Sequence, residues 1–360
     1  MGFINKKMYS LQMIRSVAAI LVLFYHTTLL FRYSFNYEYA YGIFSFGYSG
    51  VDIFFVLSGF LMYYLHHNDF GNLANTKMFI KKRFIRIYPI YWIFLIIILC
   101  TYFLQPTLGT ESSKVGLNIL KSFALFPQDQ ENNLLGVAWT LSYEVLFYLC
   151  FGIAIAMNKK ITPLLIGIWL TFFLFFSILQ PNSFFVKFLF SPINIEFLLG
   201  IFIAFQIVSK KSINFKLYYF GGALLFSLAI LNIKFELIEI NRVIQFGVPA
   251  SMIIFGTVSK ELYGNFTKNT MLIYLGDASY SIYLTHYLLL SLFSKIFSFL
   301  NLFSIIGFPI SVTLIIVLTL LVGCLFHEFI EKPVLKILSR LLFKNKVSEH
   351  KSSVVNEKSS

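Results

Sequence analysis

Charge is scarce in this chain. Charged residues fill 12% of the 360 positions, about half of the roughly 25% a soluble domain carries, while hydrophobic residues reach 58%. A water-soluble fold of this length has too little polar side chain to cover so much apolar surface, which leaves the bilayer as solvent. Cysteine is scarce as well. Cys100, Cys150 and Cys324 are odd in number, lie in apolar runs and lack metal-ligand spacing. The sequence therefore offers no disulfide framework, and the three are expected to be packing residues. The adjacent His66 and His67 have no further ligand close in sequence, so no metal site is expected. Acidic residues number 16 against 29 Lys and Arg. The basic residues cluster in short segments between apolar runs, which is the distribution of a lipid-embedded protein and not of a nucleic-acid-binding surface.

What the chain has in plenty is long apolar runs rich in Phe and Tyr, at 44 and 21 residues. A spanning helix needs about 20 mostly apolar residues. That criterion predicts an all-α membrane protein, a polytopic bundle of about ten transmembrane helices near 10–31, 43–65, 84–104, 138–157, 162–180, 193–209, 214–232, 241–258, 271–295 and 303–326. The first run, from Leu11 to Phe31, is followed by no small-x-small cleavage pattern and is expected to stay as the first helix. Residues 1–343 read as one transmembrane domain, and the polar Ser/Lys-rich stretch 344–360 as a disordered cytoplasmic tail. Alternate connecting segments gather Lys77, Lys81, Lys82, Arg83, Arg86, Lys159, Lys160, Lys210, Lys211 and Lys216. The others hold Arg32, Lys114, Lys121, Lys187 and Lys234. This bias predicts both termini in the cytoplasm. The long outer segment 105–137 contains an apolar stretch from Val115 to Phe126, closed by Pro127, which reads either as an interfacial helix over the outer mouth or as a connector.

Ionisable groups inside lipid are expensive and need a reason. The first helix holds two, Arg15 and His26, eleven residues apart. That is close to three turns, so they share a face and stand roughly 16 Å apart. A lone membrane histidine is more often a helix-packing group than a catalyst, but a second ionisable residue on its stripe suggests a lined cavity. Arg83 and Arg86 lie on one side of a helix, where guanidinium groups suit phosphate; positive-inside anchoring explains them equally. Glu144 shares a helix face with Tyr148 and is suited to orient an imidazole, take a proton, or pair with an arginine. Asp52 lies seven residues before Gly59, so the two are nearly in line; it needs a buried partner and reads as structural. His286, seven residues after Ser279, reads as a hydrogen bond between helices. His327, Glu328 and Glu331 read as interface and capping residues at the end of the last helix.

These segments together resemble the acyltransferase family 3 signature: Arg15-x10-His26, Gly50-Val51-Asp52-Ile53-Phe54-Phe55-Val56-Leu57-Ser58-Gly59-Phe60, Arg83-x-x-Arg86, and Trp139 to Glu144, in order and suitably separated. The resemblance is most specific over 11–148 and looser around Ser279 to His286 and His327 to Pro333. It implies an integral bacterial inner-membrane enzyme that moves an acyl group, by default acetyl, from cytoplasmic acyl-coenzyme A to a hydroxyl of an envelope polysaccharide or related acceptor. It further implies that His26 and Arg15 are essential and that Arg83 and Arg86 handle the donor. On this reading Glu144 joins the catalytic set, and Tyr148 and Trp139 join the substrate-binding set. Asp52, Ser58 and His286 are secondary. Acyl-coenzyme A is the expected donor substrate, with no permanently bound cofactor. Some members carry a fused extracytoplasmic esterase-like domain; here that step is expected to be absent or supplied by a separate partner. The expected mechanism has neutral His26 deprotonate the acceptor while Glu144 stabilises the imidazolium. A secondary transporter or flippase of a glycan or acyl-bearing metabolite would also suit ten helices with buried charge, but its usual paired broken helices are not evident.

Overall fold

The computed structural model describes residues 8–105, 109–209 and 214–343; the expected tail at 344–360 lies outside them. Among the described residues there is no strand, and ten segments are long and apolar enough to cross a membrane. Each expected span has its counterpart. The helices are α1 (Tyr9–Phe35), α2 (Ser49–His66), α3 (Leu73–Leu104), α4 (Gly116–Ala124), α5 (Trp139–Ala156), α6 (Thr162–Leu179), α7 (Phe184–Leu189) and α8 (Asn194–Val208). They continue with α9 (Phe215–Phe235), α10 (Val248–Tyr263), α11 (Thr270–Asp277), α12 (Ser279–Phe299), α13 (Leu302–Ile305), α14 (Phe308–Phe326) and α15 (Lys332–Phe343).

Several boundaries differ from expectation, among them that of the last span, which runs from Phe308 to Leu342. α3 begins well before residue 84, because Asn72 caps a polar first turn, its Oδ1 accepting from the Ala74 and Asn75 amides. The expected span at 271–295 is two helices, α11 and α12, that break at Ala278. The start of α1 has no local cap. Instead the Glu261 carboxylate accepts from the Tyr9 and Ser10 amides at 2.9 and 2.8 Å, placing an anion on the positive end of the helix.

Close helix crossings depend on glycine. α2 and α8 pack through Gly59 and Gly200, and a Cβ on either would overlap a backbone carbonyl of the other helix, Phe197 or Val56. α6 buries no residue at all, so its Phe- and Leu-rich surface faces outward. Cys100 and Cys150 are exposed on the outside of helices, and so are not packed inside as the sequence suggested.

The segment after α3 does not lie over the bundle as a cover. Side chains of Tyr88, Tyr91 and Trp92 donate to the carbonyls of Ala124, Ser122 and Phe123 at 3.0, 2.8 and 2.9 Å, while Tyr102 reaches the Leu134 carbonyl. Tyr91 and Tyr102 are about 16 Å apart along the helix, so the segment descends beside α3 for half its length and α5 starts from that depth. Its buried turn is held by Gln128, whose amide donates to Ser122 Oγ and Asn133 Oδ1 at 3.0 and 3.1 Å.

Candidate active site

The helices enclose a cavity of about 120 Å³. α1 contributes Arg15, α2 Ser58, α3 Arg83 and Arg86, α5 Thr140, Glu144 and Tyr148, and α12 Ser279, Tyr280 and Tyr283. The α5 residues are spaced by four, so one face of that helix lines the cavity. Trp139 falls off this face. It stands edge-on to Tyr143, which in turn stacks on Phe188 with ring centroids 4.0 Å apart. Trp139 therefore does not line the cavity with the other expected substrate-binding residues.

The two arginines on α3 differ. Arg86 donates to Glu331 at 2.5 Å and stands over the Tyr280 ring. Glu331 is fully buried and also accepts from Ser281 Oγ and His327 Nδ1, each at 2.7 Å. This four-residue knot is not the capping group that the sequence suggested for His327 and Glu331. The surrounding charge and hydrogen bonds offset the cost of burying this carboxylate. Arg83 has no carboxylate partner. It lies between the rings of Phe79 and Tyr148, and its buried Nε has no hydrogen-bond partner. Arg15 likewise makes no hydrogen bond or ion pair among the described residues, though it lines the same cavity.

Glu144 hydrogen-bonds Tyr148 and accepts from Ser58 Oγ at 3.2 Å. The expected contact with His26 is not made, because Glu144 belongs to the cavity face with Arg15, and His26 lies three turns further along α1. The partner of His26 is His286. His26 Nδ1 lies 3.1 Å from His286 Nε2 and 3.0 Å from the Val22 carbonyl oxygen, and His286 Nδ1 lies 2.6 Å from the Tyr283 carbonyl oxygen. Tyr25 and Tyr287 flank the His26 ring. Tyr283 connects this pair to the cavity. Its ring lines the cavity and its hydroxyl hydrogen-bonds the Thr140 hydroxyl at 2.7 Å, while its carbonyl holds His286.

Asp52 is fully buried outside the cavity and takes a two-pronged pair from Arg242, Nε to Oδ1 and Nη2 to Oδ2, both at 2.8 Å. Glu196 is also fully buried, with no hydrogen-bond partner for either oxygen. Sequence reading missed Thr140, Tyr283, Arg242 and Glu196, and named Glu331 only as an interface and capping residue. For Thr140 and Tyr283 a signal existed in the spacing, four residues before Glu144 and four after Ser279 respectively. For the other three the partner is known only once distant helices are packed.

An acyltransferase domain family matches residues 8–328, nearly the whole described chain, and the protein belongs to this acyltransferase family. It is an integral-membrane acyltransferase. It is similar to the exopolysaccharide production protein ExoZ of Rhizobium meliloti (strain 1021), with 27% identity over 303 residues that cover 81% of this chain and 91% of ExoZ. No solved structure gives a significant match.

Proposed function

We propose that this enzyme takes an acyl group, acetyl by preference, from cytoplasmic acyl-coenzyme A and esterifies a hydroxyl of an extracellular polysaccharide. The observation that carries the reading is the arrangement around Tyr283: Arg15 and Arg83, neither with a carboxylate partner, in the cavity its ring lines, and a histidine pair held by its carbonyl. In this reading Arg83 holds a phosphate of the donor at the entrance, where paired guanidinium hydrogen bonds suit phosphate oxygens. Arg15 lies further in, along the path of the arm. The polysaccharide acceptor is supported by the similarity to an exopolysaccharide production protein. The charge bias of the connecting segments supports cytoplasmic termini, and the family with its bacterial relative supports a bacterial inner-membrane location.

In the transfer, His26 Nε2 accepts the acceptor's hydroxyl proton while the oxygen bonds to the acyl carbon. The carbon–sulfur bond then breaks, and the same proton passes from the imidazolium to the departing thiolate. Atoms and charge balance without a cofactor.

The test is transfer of label from radiolabelled acetyl-coenzyme A into envelope glycan by membranes carrying the wild type or His26→Ala. Label in glycan with the wild type alone is the expected result. Equal label with both proteins removes His26 from the chemistry. Label from succinyl- but not acetyl-coenzyme A reassigns the acyl group, and label from no acyl-coenzyme A overturns the donor assignment.

A further inference from the structure

We propose that His286 is the positioning residue of the transfer, a neutral histidine that fixes the tautomer of His26 and so leaves His26 Nε2 as the basic nitrogen. The role is one a carboxylate fills in other histidine-dependent acyl transfers, and the proposal rests on the reading of His26 given above. The hydrogen-bond inventory determines the proton positions. A carbonyl oxygen only accepts, and an imidazole nitrogen donates only when it carries hydrogen. The Tyr283 carbonyl at 2.6 Å therefore requires hydrogen on His286 Nδ1, and the bare His286 Nε2 acts with the Val22 carbonyl at 3.0 Å to hold hydrogen on His26 Nδ1. In the neutral rings His286 Nε2 is then a bare acceptor, and at 3.1 Å it shares the His26 Nδ1 proton. His26 Nε2 is left without a proton and, among the described residues, without a hydrogen-bond partner.

His286 is well placed to hold this state. It is 1% exposed, and α12 fixes its ring through the Tyr283 carbonyl one turn back. No described carboxylate hydrogen-bonds either ring. A second imidazole orients the base without adding a buried negative charge, which would be costly at this depth.

Two measurements test the assignment. The first is nitrogen NMR of histidine-labelled wild type in nanodiscs, with His26 identified by its loss in His26→Gln. The expected spectrum has hydrogen on Nδ1 of His26 and a bare Nε2 in the wild type, with part of that hydrogen moved to Nε2 in His286→Leu; hydrogen on Nε2 in the wild type, or a His26 signal unchanged in His286→Leu, overturns the proposal. This readout needs no substrate, so it stands even if the acyl donor or acceptor has been misassigned. The second is the kinetic pair His286→Leu and His286→Gln. The glutamine side-chain oxygen reaches the position of the lost Nε2 and accepts in its place. His286→Leu is expected to lower kcat about a hundredfold, the scale of a mispositioned base, with an unchanged KM for the donor, and His286→Gln to recover most of it. A leucine variant with wild-type kcat overturns the role. So does a folded glutamine variant no better than leucine.

Discussion

At the scale of the residue, the two α3 arginines look equivalent in sequence and differ in their surroundings. Arg83 is unpaired in the cavity, whereas Arg86 is tied to a fully buried Glu331. Arg83→Ala is therefore expected to raise the donor KM more than tenfold with little change in melting temperature. Arg86→Ala should destabilise the fold, by up to about 3–5 kcal/mol, because it strands a buried carboxylate. Thermal unfolding in detergent beside donor kinetics separates the two, and equal melting losses would contradict the split. The second carboxylate cluster gives a similar contrast. Asp52→Ala leaves Arg242 without its partner and is expected to lower the melting temperature sharply. Glu196→Gln keeps the volume and a polar tip beside the Asp52–Arg242 pair while removing a carboxyl that is costly to bury, so it should be neutral or stabilising on the same melt. The sequence identified Arg15, His26, Asp52, Glu144 and His286 as residues needing a reason. It did not give their partners, because Asp52 meets Arg242 and His26 meets His286 across 190 and 260 residues of chain, a distance over which no local periodicity carries information.

At the scale of the element, apolar run length read the spans well, since bilayer thickness sets one length for all of them. It read poorly the parts that cross no bilayer alone. The stretch after α3 was legible as a helix in Val115 to Phe126. Its descent along α3 was not, because that depends on Tyr88, Tyr91 and Trp92 finding carbonyls that satisfy their polar tips. The α2–α8 crossing makes a sharper prediction. Gly59→Ala places a methyl on the Phe197 carbonyl and must push the helices apart. Gly167 on α6 has open space where its Cβ would be, and helical alanine is favoured over glycine by about 0.8–1.0 kcal/mol. The first substitution should lower the melting temperature by several degrees and the second should hold or raise it; similar behaviour of both would argue against the crossing.

At the scale of the whole molecule, both termini are proposed to lie on one side and the long segment after α3 on the other. With Cys100, Cys150 and Cys324 replaced by serine, Ser112→Cys should react with a membrane-impermeant maleimide in intact cells. Asn158→Cys should react only after the membrane is opened; the reverse pattern inverts the molecule. One further feature sets how the chain can vary in length. Two of its helical runs carry a single widened turn, at Val243–Gly247 and His327–Glu331, and such a turn amounts to one extra residue in a regular helix. One follows Arg242 and the other contains Glu331, so each widened turn lies at an arginine–carboxylate pair, with Asp52 and with Arg86 respectively. Deleting one residue from either would restore an ordinary helix of unchanged hydropathy and rotate everything beyond it by about 100°. These apolar segments should therefore accept many exchanges of one aliphatic side chain for another, yet lose function on the loss of one codon.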